Sequence, residues 1–583
     1  MTKLEILLAR GYFPKELPPA FYTSRFAKYA TSKAGKSLIE QYKATDNFTE
    51  CVKYLLALPG GHRRELRIPH PAAYANLSIL VTKNLARLLK IANKSKFAAS
   101  KPDFTSHGLR AFVSEVSPSY LATERAARRG GASFLVKGDV SQFYPSLYTH
   151  AVGWAIDPKL RLKKYWQDKS LLGKKLDQQL MDLDGKMSQG IPIGGDVFYL
   201  LAECVLSQVD AAFKPAQERA YRWFDDYEIA VRTRDEAESY MRRLSKELSR
   251  FRLRLNPTKT RIADLPFAAD EEWQQLLVQT GGRSRMDSRD MVKHFDTAFN
   301  LREKFPDSPV LLYALGVLFG IPRPNANAGR IAQSCLSQAM LAEPGAAQKG
   351  FALLSYWRTN GFALDASLIT RTINHLIARH EAAGVSSDVA WALSFCIEQK
   401  IALDANSGKI LSSVEDDCIA LQALHMGAIS LLPKGFAISQ ISKLIKQSDL
   451  DREHWLLCYE SLRQGFLNDA KTMVASNSLF NDFLQKKVSF YRTTLPSYAG
   501  VIHPGGAPNW LLRLWIEKLQ IDLGLAQPGT GRDTSKSAVI PSAIENDIRR
   551  LGTAARSDDD PLVAFLSLLD AQPLAATDIT YPV

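Results

Sequence analysis

Tyr221-Arg222-Trp223-Phe224-Asp225-Asp226-Tyr227 is the stretch on which the fold turns. Two adjacent aspartates sit between aromatic residues, and the pattern on either side predicts a β-hairpin. An Asp-Asp pair is common on surfaces; its company along the chain gives this one weight. Upstream, Phe134-Leu135-Val136-Lys137-Gly138-Asp139-Val140-Ser141-Gln142-Phe143-Tyr144-Pro145 reads as an apolar strand ending in another aspartate. Between them lies Ser188-Gln189-Gly190-Ile191-Pro192-Ile193-Gly194, and downstream Leu255-Asn256-Pro257-Thr258-Lys259-Thr260. Residues 194–213 read as helix, 221–234 as the hairpin and 235–251 as an amphipathic helix. The order strand–helix–helix–hairpin–helix–strand is an α+β arrangement.

Outward from this block the texture changes twice. Residues 1–60 look helical, with a second helical stretch over 38–58 that stops at the turn signal Pro59-Gly60-Gly61. A basic segment follows, then a helix over 71–92. Residues 156–187 are polar and lysine-rich and read as a surface excursion. After about 270, strand patterns nearly vanish. Helical spacing recurs at 311–318, 331–341, 386–400, 438–446 and 453–465, which predicts a stacked all-α array without a fixed repeat period. Residues 526–536, rich in Gly, Thr, Ser and Pro, read as a mobile loop or linker. Two domains are expected, 1–270 and 271–583.

Charge follows the same division. The chain of 583 residues carries a net +14. Residues 1–270 hold 44 Lys+Arg and 28 Asp+Glu, whereas 271–583 hold 30 and 32, so the whole excess lies in the half with the aspartates. That placement is expected if phosphates bind there. Six cysteines are scattered without C-x-x-C spacing, which argues against a zinc or redox site. No 18-residue apolar run and no cleavable signal pattern is found, and a cytoplasmic protein with no membrane partner is expected.

Carboxylates on neighbouring strands suit one chemistry in particular. Transfer of a nucleotidyl group to a hydroxyl uses two divalent cations about 3.5–4 Å apart, held by carboxylates. Asp139 and Asp225 are the expected bridging ligands of two Mg²⁺, with Mn²⁺ as a substitute. The backbone carbonyl of Val140 joins them, and Asp226 supports the site from beside it, because successive strand residues point to opposite faces. Lys259 is a candidate acid for the leaving pyrophosphate. Arg67, Arg125, Arg128 and Arg129 are candidates for triphosphate or backbone contacts, since the guanidinium fork matches phosphate. The plainer readings are an acidic surface hairpin and solvated cations.

The four motifs, in this order, resemble the signature of palm-type nucleotidyl transferases, and over residues 60–265 those of reverse transcriptases. The resemblance implies that Phe143 and Tyr144 lie at the incoming nucleotide. An aromatic at Tyr144 would exclude a 2′-hydroxyl and favour dNTPs. It also implies that Gln189 and Gly190 pass close to the nucleotide, an approach that a residue without Cβ permits. No primer grip, three-helix thumb, RNase H constellation or Cys/His endonuclease is legible beyond. The layout resembles the abortive-infection and other defence-associated reverse transcriptases of bacteria. The shared stretches are Asp139-Val-Ser-Gln-Phe-Tyr-Pro-Ser146, Trp223-Phe-Asp-Asp-Tyr-Glu228, Ser387-Asp-Val-Ala-Trp-Ala-Leu393 and His454-Trp-Leu-Leu-Cys-Tyr-Glu460. Membership would imply phage defence and a helical domain in place of the thumb. It would also imply untemplated synthesis of single-stranded DNA from dNTPs, begun on a protein tyrosine, by a homo-oligomer, a trimer or hexamer. Two readings stay open beside it: a templated enzyme copying a dedicated small RNA, as retron-type enzymes do, and a binding or sensor protein with a vestigial polymerase core. The intact Asp139, Asp225 and Asp226 argue against the last.

Overall fold

The computed structural model describes residues 1–494 apart from 106–109, 117–120, 217–218, 282–284, 322, 384–385 and 435. The linker expected at 526–536 lies outside the described residues, as does the rest of 495–583. Within them the fold is of the α+β class followed by an α-helical region. No helix among the described residues is long and apolar enough to cross a membrane.

Eight strands form three sheets. β1 (Val52–Ala57) pairs antiparallel with β2 (Arg63–Ile68), and β3 (Pro102–Phe104) with β4 (Phe112–Ser114). The third sheet holds β5 (Phe134–Asp139), β6 (Ala220–Trp223), β7 (Asp226–Val231) and β8 (Arg261–Asp264) in the order β6–β7–β5–β8, antiparallel throughout. Helix Arg234–Ser249 packs on β5 and β7. Gly138 permits this contact: a Cβ there would stand 2.7 Å from Leu244 Cδ2. Alternation along β5 then turns Asp139 to the face away from that helix.

Three sequence expectations are corrected here. The helix expected over 38–58 ends at Gln41, and Val52–Ala57 is a strand. Val52 and Tyr54 are buried while Lys53 is exposed, a period of two that the adjacent Leu55 and Leu56 conceal. The helix expected over 71–92 breaks at Asn84 into Pro71–Lys83 and Leu85–Ala92. The surface excursion at 156–187 contains a packed helix, Leu172–Leu183, which buries Leu172, Leu176, Leu180 and Leu183 against Thr149–Ile156 and Pro71–Lys83. Its apolar stripe at i, i+4, i+8 and i+11 lies among lysines that dominate the composition.

Between Glu272 and Gln485 every element among the described residues is helical. The helices alternate between two rows. Glu272–Gly281, Val310–Val317, Ala346–Thr359, Ser386–Gln399, Asp417–Ala428 and Trp455–Arg463 each pack on the next in one row. Ser288–Lys304, Ala326–Ala342, Ala366–Ala383 and Ala405–Leu411 do so in the other. From Val310–Val317 onward the first row is central and buried nearly all round, as Asp417–Ala428 illustrates, whereas its opening helix Glu272–Gly281 buries only Trp273, Leu277 and Gly281. The row's helices begin at 272, 310, 346, 386, 417 and 455, so no fixed period appears in the sequence.

The array does not project away from the N-terminal part. Ser386–Gln399 and Asp417–Ala428 pack on β1. Further on, the Glu50 N–H donates to the carbonyl of Asp451 (2.8 Å), and the Tyr42 hydroxyl and Thr45 N–H donate to the Asp451 carboxylate. The Tyr22 N–H donates to the carbonyl of Phe490 (3.0 Å) and the Arg492 N–H to that of Ala20 (2.9 Å). Tyr12, Phe13 and Phe26 meet the ring of Phe490. One apolar core therefore runs without a break from Ile6 to Tyr491, across the expected boundary near 270.

Candidate active site

The hairpin of β6 and β7 turns through two residues, Phe224 and Asp225, and pairs Trp223 with Asp226. Phe224 stands in the left-handed region at φ 50°, a costly place for a bulky residue, roughly 1–2 kcal/mol. Its surroundings hold it there. The Phe224 N–H donates to Ser100 Oγ (2.8 Å), and Arg222 donates to the Phe224 carbonyl (2.8 Å). Arg222 is fully buried beneath the hairpin, paired with Glu203 (2.9 Å) and Asp210 (2.8 Å), both from helix Asp196–Asp210. The Tyr227 hydroxyl donates to the same Asp210 (3.0 Å). A satisfied ionic network thus fixes the turn from behind.

In front lie the three predicted acids. Asp139 ends β5 directly opposite Asp226 of β7, so the two side chains share a face, with Cβ atoms about 5 Å apart by strand geometry. Asp225 is tied to the same strand end, its carbonyl accepting from the Val140 N–H (3.3 Å). Asp139 and Asp225 are buried, and Asp226 is half-buried. Both carboxylate oxygens of Asp139 are buried without a hydrogen-bond partner. Desolvation lifts all three pKa values. Asp225 is raised well above the usual range by burial, then by Asp226 and Asp139, with Arg64 opposing. Asp226 is raised to about 7 by burial and Asp139, against Arg125, Lys259 and Lys137. Burial raises Asp139 against the pull of Lys259 and of the nearby Asn256 side chain.

As the side chains stand, no three carboxylates, imidazoles or thiols among the described residues converge on a single point. The donor set is nonetheless all oxygen, which suits a hard divalent cation. A cation there would relieve the buried Asp139 oxygens, which close no hydrogen bond. The neighbouring ladder bonds run from the Ser141 N–H to the Arg254 carbonyl (2.9 Å) and from the Asn256 N–H to the Asp139 carbonyl (2.8 Å). They leave the Val140 carbonyl outside the ladder.

Tyr144 and the Gln189-Gly190 loop come together on the segment that follows Asp139. Gln142, at φ 43°, turns the chain into the short helix Phe143–Ser146. The Ile191 N–H donates to the Tyr144 carbonyl (3.1 Å), the Gly190 N–H to that of Leu147 (3.0 Å), and Gln189 bridges Tyr148. Gly190 has φ 90°, and a Cβ would meet the Pro145 carbonyl at 3.1 Å, so glycine suits this crossing. Phe143 is buried with its ring edge-on to Tyr144, which is half-buried. Gln189 is exposed.

The cations divide. Lys259 lies in the turn before β8, not on a strand, and its charge reaches Asp139 and Asp226. Arg125 lies over the Tyr221 ring (5.5 Å), stands 4.0 Å from Glu228 and acts on Asp226. Arg67, Arg128 and Arg129 are held elsewhere. Arg67 pairs with Glu65 (2.7 Å) and Asp184. Arg128 donates to the Ala220 carbonyl (2.9 Å), and Arg129 pairs with Glu228 (2.6 Å) and caps the Phe267 carbonyl. Sequence reasoning missed Lys137 and Arg64, whose charges reach the acids, and the buried Arg222 network. Lys137 was legible two residues before Asp139, on the same strand face.

No protein-family model matches the chain, and no curated protein matches it. Among solved structures the chain is similar to the apo telomerase of Candida tropicalis. The identity is 12% and the TM-score 0.30, over 69% of this chain and 73% of that one. It is also similar to the telomerases of Candida tropicalis and Candida albicans bound to the TWJ fragment of telomeric RNA. Both are 13% identical, with TM-scores of 0.28 and 0.27, over 67% and 68% of this chain and 68% of each of theirs. Likeness at this level carries no argument about activity, and the reading of the site rests on its own geometry.

Proposed function

We propose that this chain is a DNA polymerase of the reverse-transcriptase kind, acting in antiphage defence by untemplated, protein-primed synthesis of single-stranded DNA from dNTPs. The observation that carries the polymerase reading is the pairing of Asp139 with Asp226 beside Asp225, with the oxygens of Asp139 buried and unpartnered. Two Mg²⁺, or Mn²⁺, held by Asp139, Asp225, Asp226 and the Val140 carbonyl would supply Lewis acidity to the attacking hydroxyl and the leaving pyrophosphate. Tyr144 would lie under the sugar, and the Gly190 backbone beside it would narrow the space for a 2′-hydroxyl. Lys259 is exposed and reaches the acids through its charge, which suits a group that hands a proton to the departing phosphate. Arg125, whose charge acts on Asp226, is the arginine we assign to the triphosphate.

The defence and priming parts rest on the motif resemblance together with one structural feature. The helical array is bonded to the N-terminal part through Asp451, Phe490 and Arg492, rather than standing free as a clamp over the sheet. Covalent attachment to a tyrosine would keep a product that no clamp retains.

The test is incubation of the pure protein with each labelled dNTP and Mg²⁺, with products resolved before and after protease and RNase. Label that migrates with protein on denaturing gels and is released by protease supports the proposal. Free DNA made only with added RNA favours the templated, retron-like reading. No incorporation under any condition favours a vestigial core. Tyr144→Ala should narrow the preference for dNTP over rNTP about tenfold, the effect of losing roughly 1.4 kcal/mol of discrimination.

A further inference from the structure

One surface strip next to the site has no part in the mechanism above. It begins at Arg254, whose carbonyl accepts from Ser141 two residues beyond Asp139. Arg252, at φ 62°, lays its guanidinium 4.8 Å from the centre of the Tyr148 ring, and Tyr148 bridges Gln189. Tyr148 touches Trp154 (5.9 Å), and Arg161 lies between Trp154 (5.0 Å) and Phe251 (4.7 Å). Lys164 follows, over the Tyr165 ring (4.9 Å). Next comes Trp166, 56% exposed, the only aromatic residue so exposed among the described residues. Arg161, Lys164, Arg252 and Arg254 are exposed, and none forms an ion pair among the described residues. Burial, then the like charge of Arg250, lowers the Arg161 pKa. Cations interleaved with aromatic rings, next to a solvent-facing indole, suit a polyanion with flat faces.

We propose that this strip is a track for single-stranded nucleic acid leading to or from the acids. Phosphates would lie along Arg254, Arg252, Arg161 and Lys164, and a base would stack on Trp166. A duplex fits less well, because its bases are not available to an exposed ring. The track deepens the polymerase reading and rests on it only for which strand is carried.

The experiment is fluorescence anisotropy with fluorescein-labelled oligodeoxythymidine of 20 nucleotides. It is run without dNTP or metal on the full chain, across a salt series, with melting curves to check folding. The triple variant Arg161→Ala, Lys164→Ala, Arg252→Ala should lose affinity and flatten the plot of log affinity against log salt by about 2. Trp166→Ala should weaken binding about tenfold while leaving that slope unchanged. A control triple on the array, Lys409→Ala, Lys443→Ala, Lys471→Ala, removes the same charge and should change little. Equal loss in both triples would mean diffuse attraction and overturn the track. So would full competition by inorganic polyphosphate with no effect of Trp166→Ala. Because the assay needs no catalysis, failure of the polymerase reading shows separately, as absent dNTP incorporation.

Discussion

The sheet and the helical array both bury carboxylates, yet they treat them in opposite ways. In the array, Glu343 accepts from the N–H groups of Leu311 (2.9 Å) and Leu312 (2.8 Å), at the start of helix Val310–Val317. Asp388 accepts from Gly345, ahead of Ala346–Thr359, and Asp417 from His454 and Leu457, at the start of Trp455–Arg463. Each acid staples one helix to the open end of another, where unpaired amides and the helix dipole favour it. On the sheet, Asp139 closes no hydrogen bond at either oxygen, with only the Asn256 side chain and the Lys259 charge acting on it from nearby, and its nearest charged companions include two more acids. Raised pKa values appear in both places, about 7 for Glu343 and about 6 for Asp388 among them. The lesson is that burial and a shifted pKa do not distinguish scaffold from site; the missing partner does.

Substitution tests that contrast at its strongest. Asp139→Asn and Asp225→Asn should each cut dNTP incorporation at least about 10³-fold, equivalent to about 4 kcal/mol of barrier. Melting at pH 8 should be no lower than wild type, because a repelled charge has been removed. A normal rate in either variant would end the parallel between these acids and a catalytic site. Arg222→Met should do the reverse. It leaves Glu203 and Asp210 buried without their cation and should cost about 3–5 kcal/mol in denaturant unfolding. Glu343→Ala and Asp388→Ala should each cost about 1–2 kcal/mol of stability with incorporation per folded molecule unchanged.

The smallest effect is the dependence on pH. Asp226 titrates near 7 in the folded protein, above the ordinary carboxylate value of 3.8. The folded state therefore holds this proton more tightly than the unfolded chain, and stability falls as pH rises from about 4 through 7. On the proposed function, Mg²⁺ held by these acids would oppose that loss by replacing the proton. The rise in Tm on adding Mg²⁺ should be larger at pH 8 than at pH 6, by roughly 2 °C. Asp139→Asn should shrink the difference, and an equal rise at both pH values would separate the acids from metal binding.

Legibility followed range. The hairpin, β5 and the three acids were readable because alternation and turn chemistry act over a few residues. The helical region was readable as texture, but its two rows were not, because spacing between helices of one row varies. β1 hides because two leucines blur its alternation, and Leu172–Leu183 because the lysine-rich segment around it masks its apolar stripe. Arg222 could be seen but not its partners, since Glu203 and Asp210 meet it only when helix Asp196–Asp210 lies under the hairpin. The contacts of Asp451 with Tyr42, 409 residues apart, have no local signal.

That last closure has a consequence for how the chain is made. Tyr12, Phe13 and Phe26 complete their packing on Phe490, which the ribosome adds roughly 25–100 s later at about 5–20 residues per second. Through that interval the beginning of the chain waits with aromatic surface unburied, so chaperone capture early in translation, more than the final free energy, should govern how much protein a cell accumulates.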